Sequence, residues 1–187
     1  MHRGDPAFPV APRTKRAFIG LVGALGGLAL VSRRGWAAPE EEGVRAAQSI
    51  HQEVELQATR KRVYDALTDS EQFAGVQSLS EAMRQGGMSL GAKPPEISRD
   101  AGGAFALFGG YIVGRQIELV PNERIVQAWR AAGWPAGIFS IARFELVEKG
   151  SSTRIIFDHG GFPAGQGEHL ARGWNANYWE PLAKFLS

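Results

Sequence analysis

The chain has 187 residues, of which 44% are hydrophobic and 21% charged, a globular balance that excludes wholesale disorder. It contains no cysteine, which excludes disulfide frameworks, thiolate metal sites, iron–sulfur clusters and cysteine nucleophiles. The net charge of +2 is unevenly spread: residues 1–38 hold six of the 21 basic residues and one of the 19 acidic ones, so residues 39–187 carry 15 bases against 18 acids and offer no footprint for nucleic acid.

Residues 17–31 form an uninterrupted run of 15 apolar or glycine residues. That is short of the roughly 20 needed to span a bilayer. Arg13, Lys15 and Arg16 precede the run, and Gly35, Ala37 and Ala38 follow it. This is the order of a secretory signal: a basic segment, an apolar segment, then small residues at a cleavage site. Gly35 and Ala37 occupy the −3 and −1 positions for a cut after Ala37, whereas a cut after Ala38 would put bulky Trp36 at −3. The stretch Thr14-Lys15-Arg16-Ala17-Phe18-Ile19 resembles a twin-arginine signal with Lys15 in place of the first arginine. The expectation is an exported protein, periplasmic or extracellular, that uses the twin-arginine machinery. Residues 1–38 are then the signal, 39–49 a linker and 50–187 the folded body. A retained amphipathic or anchoring helix is the alternative.

The body opens on alternation. Ile50, Val54, Leu56 and Ala58 face one way, and His51, Glu53, Glu55 and Gln57 the other, which predicts a half-buried strand. Thr59 is a helix N-cap, and Val63, Ala66 and Leu67 recur at helical spacing. A second short helix is expected over residues 71–76. Residues 77–103 read as an irregular connection, either a lid or an element missed, with one helical turn near residues 81–84. Arg60-Lys61-Arg62 reads as a solvated face, with an anionic lipid surface as the alternative.

Strand signals then follow densely: residues 104–108 and 111–119 flank Gly109-Gly110, read as a two-residue hairpin turn. Further strands are expected over residues 125–130, 139–147 and 153–159. A long helix over residues 168–185 carries Leu170, Trp174, Tyr178, Leu182 and Phe185 at spacings of three and four. The fold class is therefore α+β: a curved six-stranded antiparallel sheet, two short helices after the first strand, and a long C-terminal helix across one face. A helix lying across a curved sheet leaves a gap, and such gaps form apolar pockets.

Residues Gly103-Ala104-Phe105-Ala106-Leu107-Phe108-Gly109-Gly110, Leu119-Val120-Pro121, residues 125–130, Trp134-Pro135-Ala136-Gly137 and residues 173–182 together resemble the C-terminal domain of the activator of Hsp90 ATPase homologues. The resemblance covers about residues 50–187 and implies a START-like, Bet v 1-like helix-grip fold. It also implies an Hsp90-type chaperone as a partner, should the protein stay in the cytosol. The Asn- and Trp-rich N-terminal domain of the eukaryotic activators has no counterpart in residues 1–49. Since function lives in sites grafted on folds, the resemblance speaks for the fold first.

Chemistry is sparse. His159, His169 and Glu168 or Asp158 invite a metal site, but their spacing matches no ligand pattern, and none is assigned. Asp158-His159 invites a catalytic dyad without a serine elbow to serve it. No catalytic residue and no cofactor is assigned. On residues 139–147, Ala142, Phe144 and Leu146 share a face; on 153–159, Thr153, Ile155, Phe157 and His159 do. With Trp129, Trp174 and Tyr178 they predict an aromatic space under the final helix, either a filled core or a cavity for a small hydrophobic molecule. Arg115, Gln127 and His159 are the polar candidates for orienting such a ligand.

Overall fold

The structure, a computed structural model, describes residues 48–86 and 93–187. Lys15, Arg16, Phe18 and the Ala37 cleavage position lie outside the described residues, as does most of the linker.

Seven strands form one antiparallel sheet in the order β1-β7-β6-β5-β4-β3-β2. β1 is Ser49–Leu56, β2 Glu96–Ile97, β3 Ala104–Leu107, β4 Ile112–Val120, β5 Arg124–Ala131, β6 Ser140–Lys149 and β7 Ser152–Gly160. The expected count of six is corrected to seven. β2 lies in the stretch read as irregular and is two residues long, too short to show alternation. It exists through pairing, Glu96 opposite Ala106 and Ile97 opposite Phe105, and through the Ile97 amide donating to Ser70 Oγ at 2.9 Å. The Gly109-Gly110 turn is also longer than expected. Leu107 pairs with Ile112, so residues 108–111 connect the strands through a short 3-10 turn.

Three helices link β1 at one edge to β2 at the other: α1 Arg60–Thr68, α2 Ser70–Ser78 and α3 Glu81–Gln85. Each begins on a side-chain cap: Thr59 accepts from the Arg62 amide, Asp69 from the Glu71 and Gln72 amides, and Ser80 from the Met83 amide. The basic cluster of α1 is partly neutralised at the surface, Arg60 by Glu148 and Lys61 by Asp65.

The C-terminal helix is continuous but not uniform. α4 (Gly167–Trp174) passes into a π-helical turn (Asn175–Trp179) and then α5 (Glu180–Leu186). Pro181 supplies the cause. It has no N–H for the Asn177 carbonyl, and its ring collides with that carbonyl in an α-helix. The helix widens instead, and the Glu180 amide bonds five residues back to Asn175.

One face of the sheet packs on this helix. Phe144 and Phe157 from the central strands are fully buried against Trp174 and Trp179, with ring centroids 4.4 Å apart for Phe157 and Trp174 and 5.2 Å for Phe157 and Trp179. Gln52 of β1 ties the helix to the sheet edge. It accepts from the Trp179 indole at 2.7 Å and donates to the Ala171 carbonyl at 3.0 Å.

Candidate functional site

A groove of about 600 Å³ opens between the C-terminal helix and the ends of β4 and β5. Trp129, Trp174 and Tyr178 form its floor; Ile112 and Trp134 stand on the sheet side and Met83 on the α3 side. The groove exists because both walls are built of small residues at this point. Ala131-Ala132-Gly133 end β5, and Gly173 and Ala176 face them from the helix. Deeper in, where Phe144, Phe157 and Trp179 meet, the same interface is filled by rings.

The aromatic residues singled out by sequence therefore separate into two groups. Trp129, Trp174 and Tyr178 line the groove, while Phe144, Phe157 and His159 pack behind it. Leu170, on the same helical stripe as Trp174 and Tyr178, also lines it, as do Tyr111, Trp134 and Met83, to which periodicity did not point. In the sequence Trp134 stands out only among the residues that carry the family resemblance. The signal for it was its place one turn beyond Trp129, against which it packs edge-on at 5.6 Å.

His159 is fully buried, and both ring nitrogens are engaged. The Trp174 indole N–H donates to Nδ1 at 2.9 Å, so Nδ1 must carry the lone pair and Nε2 the proton. Nε2 then donates to Ser140 Oγ at 2.6 Å, and Ser140 passes its own proton to the Trp129 carbonyl at 2.9 Å. Burial pushes the imidazole down from 6.5 to about 4. The network fixes Trp174 and the Trp129 backbone from behind. Tyr178 completes the floor: its hydroxyl accepts from the Trp129 indole at 3.5 Å, and burial pushes its phenol well above the ordinary value.

This geometry corrects two candidate chemistries. Asp158 and His159 are neighbours on a strand and point to opposite faces, so they form no dyad. Asp158 sits on the outer face at 2.7 Å from His51 Nδ1, a bond that pushes His51 up from its ordinary value. The His159–His169–Glu168 set does not assemble either, because His159 has no free nitrogen. Of the polar candidates, Arg115 is exposed and donates to the Gly102 carbonyl, and Gln127 is buried against Gln116.

The π-turn carries Ala176, Asn177 and Tyr178 into the groove. Asn177 Nδ2 donates to the Gly173 carbonyl at 2.9 Å, and its Oδ1 accepts from Ser80 at 2.7 Å, so the turn is stitched to the start of α3. Ser80→Ala removes that bond and the α3 cap together and is expected to cost about 1 kcal/mol, read as a lower urea midpoint with faster amide exchange at Met83.

A model described as "Activator of Hsp90 ATPase homolog 1-like protein" matches residues 57–187. The chain belongs to this family. Among curated members, the activator of 90 kDa heat shock protein ATPase homolog 1 of Homo sapiens is 32% identical over 89 residues, 48% of this chain and 26% of that protein. Homolog 2 of Mus musculus is 26% identical over 119 residues, 64% of this chain and 35% of that protein. The chain thus matches about a quarter to a third of the length of these activators. Solved structures share the fold. An HSP90 activator from Plasmodium falciparum superposes with a TM-score of 0.63 at 23% identity, covering 74% of this chain and 95% of that one. CalU16 from Micromonospora echinospora gives 0.58 at 23%, covering 75% and 77%. The family's helix-grip fold is the one described above.

Proposed function

We propose that this Hsp90-activator-like protein is exported on residues 1–38 and that its body holds a small hydrophobic molecule in the groove, without catalysing a reaction. The observation carrying this reading is the change of packing along one interface: solid aromatic core behind, and about 600 Å³ of aromatic-floored space in front. That volume is in the range of small-molecule pockets, roughly 300–1,000 Å³. Native mass spectrometry of protein taken from its own compartment tests the reading. The expected result is a bound species of a few hundred daltons (the size such a pocket admits) that is lost on denaturation. Protein that is ligand-free there, and that binds nothing from a lipid extract, would overturn it.

Family membership favours a second reading, a chaperone-associated factor, which requires the protein to remain in the cytosol. Fusing residues 1–40 to a reporter active only outside the cytoplasm separates the two. Activity is expected, with loss on Arg16→Gln. A silent wild-type fusion would restore the chaperone reading and justify a pull-down with cytosolic Hsp90.

A further inference from the structure

We infer that the groove selects a planar aromatic ligand bearing an anionic group, an aromatic carboxylate being the simplest case. The inference rests on the groove being a ligand site and concerns what that site recognises. Acids outnumber bases in residues 39–187, yet no aspartate or glutamate lines the groove. Among the lining side chains the fixed positive charge is Arg172, with His169 three residues before it on the same face of α4, at the rim.

The hydrogen-bonding groups point the same way. Tyr178 accepts from the Trp129 indole, and its own proton has no acceptor among the described residues. The Trp134 indole N–H likewise has no partner among them. Asn177 is spent at both ends of its amide, on Ser80 and on Gly173. Gln166 and the His169 ring each offer a side-chain acceptor at the rim beside a donor. What remains for a ligand is chiefly donors and positive charge over flat rings, the complement of an acceptor-rich aromatic anion. Glu168 does not cancel Arg172. Their pair is exposed at 67% and 85%, where ion pairs are weak, and Glu168 is outside the lining.

Calorimetric titration of the full-length mature chain with 2-naphthoate, neutral 2-naphthylmethanol and cationic 2-naphthylmethylamine tests this. Naphthoate is expected to bind about tenfold more tightly than the alcohol, and the amine most weakly. Arg172→Gln is expected to abolish the preference, and His169→Gln to reduce it. Equal binding of all three, tighter binding of the amine, or a preference that survives both substitutions would overturn the charge selection and leave the hydrophobic groove standing. Failure of all three to bind would overturn both. Arg172 and His169 are surface residues, so the variants are expected to fold.

Discussion

His159→Leu is expected to cost about 3 kcal/mol near neutral pH, and the deficit is expected to shrink in acid. The first half follows from the orphaned partners. Leucine fills similar space but leaves the buried Trp174 N–H without an acceptor and Ser140 Oγ without its donor, and such losses run at about 1–3 kcal/mol each. The second half follows from protonation. The folded imidazole titrates near 4 against 6.5 for the unfolded chain, so the unfolded state takes up the proton first as pH falls. The contribution of neutral His159 is therefore complete above 6.5 and is lost progressively towards 4. At about pH 5 the wild type has given up about 2 kcal/mol of it, leaving a deficit of about 1 for the variant. His51 acts in the opposite sense, since its folded value is raised by Asp158 and its contribution is lost as pH rises. His51 is present in both proteins and cancels from the comparison. Urea midpoints of both at about pH 7 and pH 5 read the effect. A deficit that stays constant with pH would mean the imidazole is not held neutral by its burial.

The sheet was largely legible because alternation reports which face a residue takes. Ala142, Phe144 and Leu146, and Thr153, Ile155, Phe157 and His159, all point inward as their spacing requires. Alternation does not report depth along the strand. Phe157 and Trp129 share the inner face and are both buried, but Phe157 lies away from the groove and Trp129 lines it. What separates them is Ala131-Ala132-Gly133 meeting Gly173 and Ala176 across the interface, a coincidence of small residues far apart in sequence. β2 was missed because two residues have no period. The π-turn had a local signal in Pro181, inside an otherwise helical pattern, and its consequence for Asn177 and Tyr178 follows from the lost hydrogen bond. The outward turn of Asp158 was implicit in the same alternation that placed His159, which is why the dyad fails on elementary strand geometry.

Gly114→Ala is expected to be at least as damaging, at about 3 kcal/mol or more, although its backbone conformation suits any residue. Gly114 lies on the inner face of β4, between Phe105 on β3 and Trp129 on β5. A Cβ there would sit 2.1 Å from the Ala128 carbonyl oxygen and 2.3 Å from Phe105 Cζ. The ring is a side chain and can rotate alone, but the carbonyl is backbone of the neighbouring strand and moves only with β5. Since β5 carries Trp129, relief of the clash displaces the groove floor. Gly109→Ala is the control. No atom lies within 4 Å of its added methyl, and the cost is confined to its positive φ of 68°, about 1 kcal/mol. Urea midpoints compare the two, and titration with 2-naphthylmethanol at low denaturant reads the floor. Loss of binding in Gly114→Ala with retention in Gly109→Ala is expected, because only the first substitution reaches Trp129. Equal midpoints for the two would mean that β4 and β5 part freely, and that the missing side chain at 114 is not what seats the tryptophan.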